Sequence, residues 1–540
     1  MSYKAHLNQV IASHLVELKA DEVPDQPIFI FEKGEHGEDI LTYKDLHENS
    51  NKIARLFLER GIGKADHYAI YMRNHPEFLY SLLAGMVLGA IAVPVDPRYR
   101  GERLKYILHN CKAKAVIASG ECLEALEEVL GELPEIKLVS IAYRPEQNIP
   151  FSSKYHALNE TLEQDTWAAV EQQIMDVRHP MQVIYTSGTT GDPKGVTIRN
   201  NRTGLYTILT RIVWQYKKSD ILYTGLSLSH GNAQAVTLFP ALYLGCQAVF
   251  SPRFTKSRIW DICRKYGCTS FSLLGGMMAA IYNEPEKPDD ADNPVQVVIS
   301  AGTPRAIWES FEKRFNVQIL EWYGSVEGGF AYKPIGKGPI GSFGKGLPGV
   351  MELKVVDEND NEVPPGVTGE LICRMIKGDT RVDYLGLPEA SKEKTRGGWL
   401  RTGDMVHRDE NGWLFFDYRK GSELRRAGDF IQPDFVEKVI GEHPDVSEVC
   451  VYGIPAASGA PGESDLVAAI SPFEGKTIDP VSIYRRCQEE LARNFIPSYL
   501  QIVDEIPKTI SEKPLDRLLR EQFNRGEGEI YRYEDYINEL

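Results

Sequence analysis

Apolar and polar positions repeat at two periods along the first third of the chain, and the switches between them lay out its elements. Ile53, Leu56 and Phe57 share one helical face, and Gly61 closes that helix. Residues 67–72 then read as a strand. The run 78–95 passes eighteen residues without a charge. Pro76 stands where a first helical turn starts and Gly89 where it ends, so the run divides into a core helix and a buried strand at 91–95. Each piece is too short to span a bilayer. Short strands follow at 115–118 and 138–142. After residue 200 the alternation resumes with a helix-like region at 201–215, a strand at 221–224, a helix at 260–266 and a strand at 295–300. Strands alternating with helices predict an α/β fold whose parallel sheets are covered on both faces.

The pattern changes twice toward the C-terminus. Residues 336–349 are rich in glycine, and GKGPIG and GKGLPG both match G-x-G-x-x-G. Prolines sit inside both matches and a strand and turn follow, so this is a glycine-rich β-region and not a dinucleotide fingerprint. Beyond residue 421 the strands (446–452, 466–470) are short and segregated, with a helix at 481–493, which predicts an α+β module of roughly 120 residues. A chain of 540 residues is too long for one core. Its expected division is 1–420 and 421–540.

Charge and cysteine content narrow the function. With 61 basic and 76 acidic residues the net charge is −15, which argues against nucleic acid or an anionic membrane as the main partner. A polyanionic ligand must then be met by local positive charge. The eight cysteines show no C-x-x-C spacing, and Cys263 and Cys268 lack nearby histidines, so reduced thiols fit better than a zinc site. A reducing compartment, the cytoplasm, follows. The N-terminal segment has an interrupted apolar pattern without a cleavage site and does not read as a signal peptide.

The candidate chemistry is concentrated at 185–196, YTSGTTGDPKGV. Glycines let backbone N–H groups close on an anion, the hydroxyls of Thr186, Ser187, Thr189 and Thr190 add donors, and Lys194 adds a charge. Read as a Walker loop from Gly188, the stretch has Pro193 where the second glycine belongs, and Gly195 follows the lysine. It is a phosphate-holding loop of another kind, where the bland alternative is a flexible surface turn.

This stretch resembles the phosphate-binding signature of the ANL adenylating superfamily: acyl-CoA synthetases, adenylation domains of peptide synthetases and beetle luciferases. Further motifs fall in the family's order. The resemblance assigns Thr186, Ser187, Gly188, Thr189, Thr190 and Lys194 to the β- and γ-phosphates of ATP. SLSHGN is similar to the family's histidine segment and puts His230 at the mouth of the acyl pocket, with Ser229 where an aromatic is usual. Ser300 to Pro304 resembles the adenine loop, carrying Gly302, Thr303 and Pro304. WYGSVE (Trp322, Tyr323, Gly324 to Glu327) resembles the aromatic-Y-G-x-T-E motif, with Tyr323 stacking on adenine and Glu327 holding Mg²⁺, a hard cation that prefers oxygen ligands. Val326 departs from the usual threonine and removes a hydroxyl. Asp404 and Arg419 correspond to the ribose-binding pair. Tyr418 replaces a usual glycine, and Gly421 stands at the hinge. RRAGDF resembles the thioester-tunnel loop, with Gly428 beside the pantetheine chain. PKTISEKPLDR resembles the catalytic-lysine segment, retaining Lys513, with Glu512 beside it as a charge that raises the lysine pKa.

The resemblance implies a large N-terminal domain of layered α/β subdomains and a small mobile α+β C-terminal domain. It also implies an AMP-forming acyl-CoA ligase with ATP, Mg²⁺ and coenzyme A, and the layout is similar to the carnitine/crotonobetaine-CoA ligase branch. A carboxylate attacks the α-phosphate of ATP to give acyl-AMP and pyrophosphate, and a thiol then displaces AMP. The step gathers negative charge, so catalysis is positioning and electrostatic stabilisation by Lys194, Mg²⁺, Lys513 and loop amides. The family swings its C-terminal domain between the two steps. Gly275, Gly276, Met277, Ser325, Gly328, Gly329 and Phe330 are acyl-pocket candidates by analogy, and their small size leaves room for more than acetate. The acid, a small-molecule carboxylate, is not specified, and association into a homo-oligomer stays open. Competing readings are an adenylation enzyme loading a carrier protein, a luciferase-like oxygenase, and a degenerate homologue that binds ATP or acyl-AMP.

Overall fold

Local signals start and stop the helices much as the sequence predicts. Thr42 begins the helix Tyr43–Glu59 with a reciprocal cap: its side chain accepts from the Asp45 N–H at 3.1 Å while the Asp45 carboxylate accepts from the Thr42 N–H at 2.8 Å. Pro76–Leu88 is buried on every side and ends at Gly89, whose φ is +69°. This computed structural model describes residues 10–186, 193–377, 380–420, 424–426, 429–431, 433–457, 464–491, 493–509 and 514–537.

Two large sheets form the N-terminal α/β region. The seven-stranded sheet runs in the order His156–Ala157, Leu138–Ala142, Ala115–Ser119, His67–Tyr71, Ile91–Val95, Pro180–Thr186, Lys194–Arg199. It is parallel except where Lys194–Arg199 returns antiparallel. The nine-stranded sheet is centred on the parallel strands Gln318–Gly324, Val297–Ala301, Ser270–Leu274, Ile221–Thr224, Gln247–Phe250 and Pro27–Glu32. Antiparallel strands close both of its edges. A large hydrophobic cluster packs helices such as Pro76–Leu88 and Ile259–Tyr266 against these strands.

Two smaller parts complete the chain. A four-stranded antiparallel sheet is built from Met351–Val356, Gly369–Met375, Leu400–Arg408 and Leu414–Arg419. The C-terminal α+β domain sets the helices Pro433–Gly441 and Pro480–Glu490 and the sheet Val446–Pro455, Ser464–Pro472, Tyr499–Ile502, Glu529–Arg532 around its own core of Ile431, Val436, Ile470, Tyr484 and Leu500. The helix-like region at 201–215 is two pieces: Asn201–Leu209 is α-helical, Thr210–Trp214 is a π-turn, and Gln215 ends it at φ +54°. Among the described residues no helix is long and apolar enough to cross a membrane.

Candidate active site

Four parallel strands of the nine-stranded sheet point their C-terminal ends at one crevice, the place where open α/β sheets bind ligands. Ile221–Thr224 leads toward His230, Ser270–Leu274 into Gly275, Val297–Ala301 into Gly302, and Gln318–Gly324 into Glu327. The seven-stranded sheet adds Thr186 and Lys194, paired across neighbouring strands. These ends enclose a cavity of about 1060 Å³.

Lys194 and Glu327 meet across a tyrosine. The Lys194 ammonium stands 5.3 Å from the centre of the Tyr384 ring, and the Tyr384 hydroxyl donates to Glu327 Oε1 at 3.2 Å. Burial first, and the Glu327 carboxylate second, push the Tyr384 phenol above its usual range, so it stays a proton donor. Backbone pairing fixes the tyrosine: Val196 and Tyr384 form an antiparallel bridge, and Leu385 N–H donates to the Gly195 carbonyl at 2.8 Å. The ring stands between cation and carboxylate, and both side chains line the cavity.

Glu327 rides on a tight turn. Ser325 and Gly328 exchange backbone hydrogen bonds at 3.2 and 3.1 Å, and the Ser325 hydroxyl donates to the Gly328 carbonyl at 2.9 Å. Gly328 has φ +140°, and a Cβ there would lie 3.1 Å from Leu400 Cδ2. Arg202 donates to the Ser325 and Val326 carbonyls at 3.4 and 3.1 Å, anchoring the turn from the side of Lys194.

His230 lines the cavity and its Nδ1 accepts the Asn232 N–H at 3.3 Å, which assigns the neutral ring's proton to Nε2. The segment ahead of it is pinned by Asn74, buried where the two sheets meet. The Asn74 amide donates to the Leu226 and Ser251 carbonyls at 2.8 Å each and accepts the Leu228 N–H at 2.7 Å.

The residues that the resemblance assigns to the nucleotide split between those that line the cavity and those that do not. Gly302, Trp322, Gly324 and Arg419 line the cavity, whereas Thr303, Pro304, Tyr323 and Asp404 do not. Thr303 and Gly302 hold Glu321 behind the wall: the Gly302 N–H donates to Glu321 Oε1 at 2.6 Å and the Thr303 hydroxyl to Oε2 at 2.5 Å. Burial pushes the Glu321 carboxyl up to about 7 in spite of these donors. Gly275 must lack a side chain, because a Cβ would fall 1.9 Å from the Gly302 carbonyl oxygen. Tyr323, on the opposite face of its strand from Trp322 and Gly324, packs on Phe343 at 4.9 Å and donates to Asp404 Oδ2 at 2.5 Å. Asp404 and Arg419 are cross-strand neighbours with Nε 3.7 Å from Oδ1.

One end of the cavity is apolar. Trp214, Trp322 and Phe330 pack with ring centroids 5.5 to 6.0 Å apart. The π-turns Thr210–Trp214 and Ala233–Leu238 supply Trp214 and Ala235 to this end. Of the acyl-pocket candidates, Gly275, Gly276, Ser325, Gly328, Gly329 and Phe330 line the cavity; Met277 does not, being 1% exposed in the core one helical position past Gly276.

Ser187, Gly188, Thr189, Thr190, Gly421, Gly428, Glu512 and Lys513 lie outside the described residues. Sequence reasoning did not find Tyr384, Arg202, Asn74 or Lys394. None belongs to a motif, and each reaches the site through a contact between segments distant in sequence.

A family model for the AMP-binding enzyme matches residues 16–378, and one for the AMP-binding enzyme C-terminal domain matches residues 436–513. The chain is 26% identical over 513 residues to a crotonobetaine/carnitine–CoA ligase of Citrobacter koseri, covering 93% of this chain and 97% of that one. It is 28% identical to long-chain fatty acid transport protein 2 of Rattus norvegicus, over 95% of this chain and 85% of the relative. Its fold is that of an anthranilate CoA ligase crystallised with anthranoyl-AMP (TM-score 0.82, 23% identity, 95% and 97% covered). A benzoate CoA ligase from Burkholderia xenovorans LB400 has the same fold (TM-score 0.81, 21% identity, 94% and 99% covered).

Proposed function

The chain belongs to the AMP-binding enzyme family, and from that premise we propose that it is an ATP-dependent acyl-CoA ligase, which makes an acyl-adenylate and passes the acyl group to coenzyme A. The observation that carries this reading is the meeting of Lys194, Tyr384, Glu327 and Arg419 around one cleft that also holds an apolar end. A triphosphate and a carboxylate repel each other, and the chain's own contribution is to hold both while positive charge offsets the repulsion. Lys194 takes the phosphates, with Thr186 and the glycine-rich loop beside it. The motifs assign Arg419 and Asp404 to the ribose, Gly302 and Tyr323 to the adenine and His230 to the entry of the acyl pocket; of these, Arg419, Gly302 and His230 line the cavity, with Asp404 and Tyr323 hydrogen-bonded to each other next to them. The resemblance assigns Lys513 to the adenylation charge set and Gly428 to the thiol's path. Residues 1–420 and 421–540 act as the two domains whose rearrangement separates the half-reactions.

Mg²⁺ fits this cleft. A hard ion that keeps its waters and rides on phosphate oxygens asks the protein for one or two carboxylates, and Glu327 presents one on its turn. Among the described residues no group of three or more His, Cys, Asp or Glu comes together as a metal cage. When bound the ion neutralises phosphate charge.

The aromatic end formed by Trp214, Trp322 and Phe330 suits an acid with an apolar or aromatic tail, and an aromatic face also attracts a quaternary ammonium group such as the one carried by the substrates for which the Citrobacter relative is named. All eight cysteines are free and buried, which suits a reducing compartment such as the cytoplasm. The test is pyrophosphate release over short, medium, branched, aromatic and betaine acids, each with and without coenzyme A. Acid-dependent release, with AMP and a CoA thioester accumulating when CoA is present, is the expected result. Release that ignores CoA would point to a carrier-protein acceptor, and no release with any acid despite ATP binding would overturn the ligase reading.

A further inference from the structure

Lys394 is a cation of the cleft that no motif announces. It is the last residue of the helix Pro388–Lys394, which leads through the turn Arg396–Gly398 into the strand Leu400–Arg408 that bears Asp404. Its side chain lines the cavity beside Leu400, Arg419 and Glu327. The ammonium donates to the Thr402 carbonyl at 3.3 Å. An ammonium has three donors, so this bond leaves capacity for a ligand. Among the described residues no carboxylate forms an ion pair with it, although Glu327, Asp404 and Glu370 are near enough to act on it, and Arg419 adds a like charge. Burial, the largest influence, holds the Lys394 ammonium below the usual lysine range. A half-buried ammonium that faces a cavity, makes no direct ion pair among the described residues and has donors to spare is set up to receive an anion.

We propose that Lys394 binds the 5′-phosphate of the nucleotide, the phosphorus on which the acyl-adenylate forms. This rests on the ligase reading above. The anion is a nucleoside phosphate on the ligase reading: Arg419 and its cross-strand partner Asp404, the pair given to the ribose there, are both near enough to act on the Lys394 charge, and a ribose carries its 5′-phosphate one carbon beyond the ring. Val326, which lines the cavity next to Glu327, presents an apolar side chain and no hydrogen-bond donor. Lys394 supplies the donor instead, with a full charge behind it.

The experiment compares AMP with adenosine. Dissociation constants for both are measured by calorimetry on the full chain, the Lys394→Met and Lys394→Gln variants, which keep length without charge, and the charge-retaining Lys394→Arg. The expected result is about a tenfold loss of AMP affinity in the two neutral variants, unchanged adenosine affinity, and an AMP affinity in Lys394→Arg within about threefold of the parent chain. A purely structural lysine would lower both affinities together. That outcome, or unchanged AMP affinity in both neutral variants, overturns the proposal while leaving the ligase reading intact. Failure of the unmodified chain to bind AMP, ATP or adenosine would overturn the ligase reading itself, and this inference with it.

Discussion

Glu321 sets burial against hydrogen bonding. Three groups of the Gly302–Thr303 loop donate to its carboxylate, which favours the charged form, yet complete burial raises its pKa to about 7. The folded chain therefore prefers the protonated acid. Its contribution to stability is full below the ordinary glutamate range and is lost as pH rises to about 7, a loss of about 3 kcal/mol. Glu321→Gln, which cannot ionise, should remove that slope, so denaturant midpoints of the two chains compared from pH 4 to 8 should diverge in this sense as acid is withdrawn. Lys194 works on the ligand side. Lys194→Ala should slow acid-dependent ATP–pyrophosphate exchange by about 10² to 10³, the cost of one well-placed charged donor, while Tm stays put because the ammonium is exposed to the cleft. Lys194 and Glu327 were both legible in the sequence as members of motifs. Tyr384, which joins them, was not, because its place depends on a backbone bridge to Val196 from a segment with no motif of its own.

Elements carry these residues, and the ones with strong local signals were readable in advance. The helix Pro76–Leu88 and the strand Ile91–Val95 follow from Pro76, Gly89 and an unbroken apolar run. The π-turns at Thr210–Trp214 and Ala233–Leu238 have no such signature, since one extra residue in a turn leaves the hydrophobic period almost unchanged. They shape the apolar end of the cavity. Trp214→Ala should cost about 3 to 5 kcal/mol by removing an almost fully buried ring, and should shift preference toward bulkier acids in the same exchange assay. The junction of Ser270–Leu274 with the next helix is more sensitive still. Gly275→Ala places a methyl against the Gly302 carbonyl, so it should cost about 1 to 3 kcal/mol and weaken ATP binding, read by thermal melts with and without the nucleotide.

At the scale of the whole molecule the two large sheets face one crevice, and the C-terminal domain keeps a core of its own. Two-step chemistry with one lysine serving the first step predicts an asymmetric loss: Lys513→Ala should slow adenylate formation strongly and leave thioester formation from supplied acyl-AMP largely intact, measured as separate half-reactions. Equal losses would refute the lysine's assigned role. By itself the sequence determined the class of fold and much of the alternation of strands and helices, because periodicity, caps and glycine-rich spacing act over a few residues, while the charged groups assigned to a nucleotide came from the resemblance of its motifs. The tertiary structure decided which of those groups reach the cavity. It left Asp404 and Tyr323 off the cavity lining and hydrogen-bonded them to each other, kept Met277 and Asn74 buried, and brought Tyr384 and Lys394 to the cleft. Those placements rest on strand pairing and packing between distant segments, which no local pattern encodes.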